Sequence, residues 1–127
     1  MQQSSEVFFA SSNEHKFEEA QRILSTLGVN IKLFKTTLEE IQSNSLNEIA
    51  KRKAIDAFTK IQKPILIEDD GLFINSLNGF PGPYSSYAYD TIGNTGIIQL
   101  LENTELRDAK FVAIIAYCNG IDEVKLF

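Results

Sequence analysis

Three consecutive carboxylates after a short apolar run are the residues of this chain best suited to chemistry. Glu68, Asp69 and Asp70 follow the run Ile65–Ile67 and precede Gly71. A buried strand that ends in such acids would present oxygen ligands to a hard cation such as Mg²⁺. The alternative is that they only cap a turn into the glycine, but three successive acids at a buried strand end are costly. The pattern therefore favours a metal site.

The alternation of side chains along a strand predicts different tasks for these acids. Glu68 and Asp70 would point to one face and Asp69 to the other, so that metal binding and water activation can be divided among them. Glu40 lies outside any clear helix and is a further candidate. Glu48 is better explained as the capping-box residue of a helix.

A second group of polar residues follows the first apolar strand, Val7–Ala10. Ser11, Ser12 and Asn13 come next, and Lys16 falls in the first turn of a predicted helix. The free N–H groups and partial positive charge of a helix N-terminus bind anions such as phosphate. The alternative is that Asn13 is only an N-cap and Lys16 a solvated side chain. Together with the acids, this group predicts metal-assisted chemistry on a nucleotide.

The bulk composition sets further limits. The 127 residues predict one domain, 1–127, with 17 acids against 12 bases and a net charge of −5. Nucleic acid is therefore not an expected partner, since binding it needs a basic face. The single cysteine, Cys118, cannot form an intrachain disulfide and is interpreted as a buried, inert thiol.

No targeting or membrane segment is expected. The residues 1–6 lack the basic and apolar regions of a signal peptide, and no apolar stretch approaches the roughly 20 residues of a membrane span. The sequence thus predicts a cytoplasmic protein without a membrane partner.

Hydrophobic periodicity predicts an α/β fold, a mixed central sheet with flanking helices. Helices are expected over 13–27, 46–61 and 95–102, and a Gly- and Pro-rich ordered loop over 78–84. Strands are expected over 7–10, 29–33, 64–69, 71–77, 110–118 and 122–127, the last two joined by a hairpin at Asn119-Gly120.

Several of these motifs resemble those of the inosine triphosphate pyrophosphatase family. The family's opening T-G-N-x-x-K-x-x-E is similar to residues 11–19, and its acidic pair followed by x-G-L is similar to residues 68–72. Its G-x-P-G-x-Y-S motif is matched by residues 79–85, and a later R-x-A-x-F by residues 107–111. The resemblance covers nearly the whole chain, in order, and implies the family's fold.

The resemblance also implies an activity and a set of site residues. The activity would be Mg²⁺-dependent hydrolysis of non-standard purine nucleoside triphosphates (ITP, dITP, XTP) to the monophosphate and pyrophosphate, by a homodimer. Asp69 would be the general base and Lys16 its catalytic partner, and Asp70 stands where the family has Ser or Thr. The metal ligands would be Glu40 and Asp69, with Glu68 beside them, and the substrate-binding residues Ser11, Ser12, Asn13, Glu14, His15, Lys16 and Asp70.

One departure from the family concerns the C-terminal part. The family continues with G-F-G-Y-D-P and S-H-R segments, and neither occurs before Phe127. We therefore expect the C-terminal elements of the domain to be missing. An inactive nucleotide-binding or dimerising module is one alternative function. A Maf-type nucleotide pyrophosphatase is another, although Asn13 and Lys16 differ from the S-x-S-x-R-R opening of that group.

Overall fold

The computed structural model describes residues 6–127, so most of the segment 1–6, in which no signal peptide is expected, lies outside the described residues. The strands are β1 (Val7–Ser11), β2 (Ile31–Lys35), β3 (Ile65–Ile74), β4 (Pro81–Gly82), β5 (Ala109–Cys118) and β6 (Val124–Leu126). The helices are α1 (Glu14–Thr26), α2 (Leu46–Ile61), α3 (Ser85–Thr91) and α4 (Gly93–Leu100), with a 3-10 helix at Asn75–Leu77. Among the helices of residues 6–127, none is long and apolar enough to cross a membrane.

The strands form one mixed sheet in the order β2-β1-β3-β5-β6, with β4 paired to β3. β1 is parallel to both β2 and β3, whereas β5 is antiparallel to both β3 and β6. This arrangement confirms the predicted α/β fold with a mixed central sheet and flanking helices.

Helix α2 packs its apolar stripe on one face of the sheet. Its bounds are those predicted from the sequence, and the Ser45 side chain accepts a hydrogen bond from the Glu48 backbone N–H at 3.3 Å, as an N-cap does. The small side chains of the stripe allow close approach to the strands. The resulting core consists of Ala10, Ala50, Ala54, Ala57, Ile65, Ile67, Ala116 and Cys118.

Helix α1 lies against the residues of β1 that point away from α2. Phe17 of α1 packs on Phe9 of β1 with ring centroids 6.3 Å apart, whereas Ala10, the next residue of the strand, belongs to the α2 core. The sheet therefore has helices on both faces, and successive residues of a strand face different helices.

The prediction of two strands over residues 64–77 is wrong. A single strand, β3, spans Ile65–Ile74, and all ten of its residues pair with β5. The three acids consequently lie in the middle of a strand, with Asp69 opposite Ile114, and not at a strand end. The reason is that the long apolar strand β5 pairs with the residues of β3 on both sides of Gly71, whereas the sequence alone suggested a break at this glycine.

The other edge of β3 explains why acids are tolerated there. Among residues 6–127, that edge pairs with β1 as far as Leu66 and with β4 from Leu72 onward. The segment 67–71 between these pairings contains the three acids. The edge is therefore open where the carboxylates lie, and β1 ends beside it.

Two smaller differences concern the second half of the chain. Helix α3 was not predicted, and the helix expected over 95–102 begins earlier, at Gly93. The loop 78–84 contains the short strand β4, where the Phe80–Pro81 peptide bond is cis. The hairpin prediction is confirmed, because β6 returns along β5 after Asn119-Gly120.

Gly71 is predicted to be intolerant of a side chain. A Cβ at this position would collide with the Gly82 carbonyl oxygen and lie 2.9 Å from its carbon, because β4 pairs with β3 directly beside Gly71. We expect Gly71→Ala to lower the free energy of unfolding by about 1–3 kcal/mol, the usual cost of overpacking. Gly120→Ala is the control, since its Cβ would meet only ordinary contacts, the nearest at 3.7 Å. Equal urea midpoints for the two variants would contradict the prediction.

Candidate active site

A cavity of about 400 Å³ opens at the unpaired edge of β3. It lies where β1 passes into α1, and the segment after β2 and the start of α3 complete its wall. Its lining is mainly polar and includes Ser11, Ser12, Asn13, Lys16, Thr36, Thr37, Glu40, Lys53, Glu68, Asp69, Asp70 and Ser86.

The start of α1 forms one wall of this cavity. Asn13 is the N-cap, and its side chain accepts a hydrogen bond from the His15 backbone N–H at 3.0 Å. Ser11 accepts one from the Asn13 N–H, also at 3.0 Å. These local bonds fix the turn from strand to helix, so that the helix N-terminus and Lys16 border the same space.

Lys16 is paired with two carboxylates of β3. Its Nζ lies 2.8 Å from Glu68 Oε2 and 3.6 Å from Asp70 Oδ2. Burial alone would lower the pKa of Lys16, but the hydrogen bond and charge of Glu68 and the charge of Asp70 raise it overall. Burial is the largest of the effects that raise the pKa of Glu68. The ammonium is therefore a fixed positive charge at the cavity wall.

Lys53 is the counterpart on the other face of β3. Its Nζ lies 3.0 Å from Glu40 Oε1 and 3.5 Å from Asp69 Oδ2, and its side chain is only 18% exposed. The division of the three acids between the two lysines follows the predicted alternation of the strand.

Lys53 was not predicted from the sequence, although the helical pattern contains a signal for it. Lys53 follows Leu46 by seven residues, Ile49 by four and Ala50 by three, so it falls on the buried stripe of α2. A lysine on such a stripe needs a negatively charged partner, which the buried Asp69 and the more exposed Glu40 supply. Thr36, Thr37 and Ser86 also line the cavity, and no motif in the sequence pointed to them.

Asp69 is the buried acid of the site. Its Oδ1 accepts a hydrogen bond from the Asp70 N–H at 3.1 Å, whereas its Oδ2 is buried and has no hydrogen-bond partner within residues 6–127. Burial raises the pKa of Asp69, and the negative charge of Glu40 adds to this, while Lys53 opposes it. A buried carboxylate oxygen with an unused lone pair is suited to accept a proton or to bind a cation.

Glu40 is positioned by an irregular segment that is tied to α2. The Glu39 backbone N–H donates to Asp56 Oδ2 at 2.9 Å, and Lys60 donates to the Thr37 carbonyl at 3.0 Å. The bond from Glu39 is the main reason why the pKa of Asp56 is lowered. These contacts hold the segment over the helix and bring Glu40 to Lys53.

The start of α3 closes the opposite side of the cavity. Ser85 donates to the Gly82 carbonyl at 2.6 Å and accepts from the Leu72 N–H at 2.8 Å, which ties the loop to β3. Ser86 consequently borders the cavity. A second, more apolar cavity of about 380 Å³ adjoins the first and is lined in part by Tyr84 and Tyr87.

The structure brings most of the predicted site residues together, but not all. Ser11, Ser12, Asn13, Lys16, Glu40, Glu68, Asp69 and Asp70 line the cavity. Glu14 instead pairs with Lys35 at 3.0 Å, and the exposed His15 lies 3.6 Å from Glu18. Neither Glu14 nor His15 is part of the cavity wall, so their predicted role in substrate binding has no geometric support here.

The predicted metal ligands are divided between the two lysines. Within the described chain, no three His, Cys, Asp or Glu side chains are grouped as a metal site. Mg²⁺, however, commonly takes only one or two protein carboxylates, with phosphates and waters as the other ligands. The Oδ2 of Asp69, which has no hydrogen-bond partner within residues 6–127, and the neighbouring carboxylate of Glu40 fit such a site, whereas Glu68 is hydrogen-bonded to Lys16.

The fold and the cavity together define a class of protein. A mixed α/β sheet whose open edge carries acids, lysines and a helix N-terminus has groups suited to an anionic ligand and to a cation. The Ham1 family model matches residues 7–127, so this chain belongs to the Ham1 family. The resemblance inferred from the sequence motifs is thereby confirmed.

Individual relatives agree with this assignment. The chain is 46% identical over 112 residues to a dITP/XTP pyrophosphatase of Methanopyrus kandleri, covering 88% of this chain and 60% of the relative. It is 43% identical over 114 residues to a dITP/XTP pyrophosphatase of Hyperthermus butylicus, covering 90% and 60% respectively. The structure of the Staphylococcus aureus Ham1 protein superposes with a TM-score of 0.78 at 28% identity, covering 96% of this chain and 67% of that one. The chain thus spans about 60% of the length of these curated relatives.

Proposed function

We propose that this protein hydrolyses non-standard purine nucleoside triphosphates, of the dITP and XTP type, to the monophosphate and pyrophosphate. The observation that carries the proposal is the pair of lysines, each held by two carboxylates, around one cavity. The names of the relatives supply the substrate class.

Binding of the triphosphate follows from the positive groups of the site. The α1 N-terminus offers N–H donors, and the hydroxyls of Ser11, Ser12 and Thr36 lie on the same cavity. Lys16 and Lys53 flank the three acids of β3 from opposite faces. Phosphate oxygens can thus replace carboxylate oxygens as partners of the two ammonium groups.

The charge of the cavity supports a requirement for a divalent cation. Two lysines face four carboxylates, so the wall carries a formal excess of two negative charges. A bare triphosphate would be repelled by this wall. Bound Mg²⁺ would neutralise phosphate charge and polarise the α-phosphate, and Asp69 and Glu40 are the residues that would hold it.

Asp69 would activate the attacking water. Burial raises its pKa toward the range in which a carboxylate accepts a proton, and its Oδ2 is not used by another hydrogen bond within residues 6–127. A water that donates to this oxygen would attack the α-phosphorus, and the bond to the bridging oxygen of pyrophosphate would break. Lys16 and Lys53 would stabilise the negative charge that develops on the phosphates.

Product analysis tests the proposal. The chain is incubated with dITP, XTP or dATP, with Mg²⁺ or with a chelator, and the products are separated by anion-exchange chromatography. We expect monophosphate and pyrophosphate from dITP and XTP, little from dATP, and none with chelator. Nucleoside diphosphate and orthophosphate as products would contradict the proposal. Saturable nucleotide binding without turnover would instead support the alternative of an inactive nucleotide-binding module.

The remaining parts of the proposal are a homodimer and a cytoplasmic location, where the nucleotide pool is found. Several large apolar side chains of α3, of α4 and of the residue between them are exposed, and they support self-association because it would cover them. Tyr87 is 72% exposed, and Tyr89, Ile92, Ile98 and Leu100 are exposed as well. A monomer in sedimentation equilibrium at micromolar concentration would contradict the dimer.

A further inference from the structure

We infer that Asp70 competes with the phosphates of the substrate for Lys16, and so sets how strongly the site binds an anion before a cation is present. The inference deepens the proposed function and rests on it for the identity of the anion. It is carried by the unequal geometry of the two carboxylates around Lys16.

Glu68 is the structural partner of Lys16. Its Oε2 lies 2.8 Å from the ammonium, within hydrogen-bond distance, and its side chain is only 16% exposed. Replacing Glu68 would leave Lys16 without its hydrogen-bonded partner on β3. Glu68 therefore holds the lysine in place.

Asp70 has a different relation to the same lysine. Its Oδ2 lies 3.6 Å from the ammonium, beyond hydrogen-bond distance, and its side chain is 50% exposed at the cavity wall. Its backbone N–H, not its carboxylate, makes the bond to Asp69, and its strand pairing is with Ala113. The carboxylate of Asp70 thus adds negative charge at the site of anion entry and takes no part in the backbone hydrogen bonds of the strand.

The electrostatic consequence is direct. With both carboxylates present, Lys16 is more than neutralised, and an arriving phosphate meets a local excess of negative charge. Without the Asp70 carboxylate, the ammonium and Glu68 would balance, and a phosphate oxygen could take the place next to the lysine. Near a protein surface, a unit charge about 4 Å away changes the interaction energy by more than the roughly 1.4 kcal/mol that corresponds to a tenfold change in affinity.

The test is calorimetric binding of inorganic tripolyphosphate in the presence of EDTA, so that neither metal nor turnover contributes. We expect Asp70→Ser and Asp70→Asn to bind at least about tenfold more tightly than the wild-type chain. Asp70→Glu keeps the charge and should bind like wild type. Glu102→Gln is the matched control, because it removes one exposed carboxylate outside the cavity and should change nothing.

Each outcome decides the inference. Equal or weaker binding by Asp70→Ser, or no measurable binding by any of the proteins, overturns it. Tighter binding by Asp70→Ser but not by Asp70→Asn would also overturn it, since the charge would then not be the cause. Turnover of dITP by the wild-type chain is measured in a separate experiment. An absence of turnover would contradict the proposed function but would leave the binding comparison valid.

Discussion

Replacing Asp69 by Asn is expected to lower kcat for dITP by about 10²–10⁴-fold, the range that a general base contributes. The amide cannot accept the proton of the attacking water, and it also binds a cation poorly. The backbone bond from Asp70 to Oδ1 can be kept by the amide oxygen, so the fold should remain intact. The measurement is the steady-state rate of pyrophosphate release, with Asp122→Asn as the control, since Asp122 is exposed and lies outside the cavity. Turnover within about threefold of wild type would remove Asp69 from the mechanism.

The same variant should be more stable than the wild-type chain at neutral pH. Burial raises the pKa of Asp69 in the folded chain, so ionisation of this carboxyl opposes folding. Below the unfolded pKa of about 3.9 the carboxyl is neutral in both states and costs nothing; as the pH rises through the higher folded pKa, stability is lost. Thermal unfolding should therefore give a higher Tm for Asp69→Asn at pH 7, and the difference should close near pH 3–4. A lower Tm for the variant at pH 7 would contradict this sign.

Replacing Lys53 by Met is expected to reduce kcat/KM for dITP by about 10²–10³-fold, the usual loss when one preorganised donor to developing charge is removed. The side chain is largely buried, and its ammonium is shared between Glu40 and Asp69. Without this cation the two carboxylates repel each other and any incoming phosphate. Steady-state kinetics with Mg²⁺ measure the effect.

Lys51→Met is the matched control for Lys53. It is the same substitution on the same helix, at an exposed position outside the cavity. We expect its kcat/KM to stay within about twofold of wild type, as for most surface substitutions. If Lys51→Met and Lys53→Met lost the same activity, the loss would reflect helix α2 as a whole and not the contact with Asp69.

Much of the fold could be predicted because its signals are local. Helix α2 has both an apolar stripe and a cap at Ser45, and its bounds were predicted correctly. The strand break expected near Asp70 was wrong because three acids and Gly71 look like a turn in isolation. The continuous pairing with β5 overrides this local signal, and it joins residues between 35 and 53 positions apart in the sequence. Helix α3 follows a Gly- and Pro-rich loop and has no side-chain cap, so no local signal marked it.

The sequence predicted site residues on both faces of the sheet, but it did not predict Lys53. The cap at Asn13 and the spacing to Lys16 are read directly from the sequence, as is the alternation of the acids. Lys53 was missed because its meaning depends on Asp69, which is distant in sequence and reaches it only through the packing of α2 on β3. His15 is the opposite case, a residue that was predicted to bind substrate but does not line the cavity. It lies within the matched motif, yet its side chain is exposed to solvent.

The most direct test of the proposed mechanism is hydrolysis of dITP by the wild-type chain in water enriched in oxygen-18, with Mg²⁺, followed by mass spectrometry of both products. If water activated at Asp69 attacks the α-phosphorus, the label will be found in the monophosphate, and the pyrophosphate will carry none. Label in the pyrophosphate would place the attack at the β-phosphorus and contradict the proposed mechanism. The absence of both products would contradict the proposed activity itself.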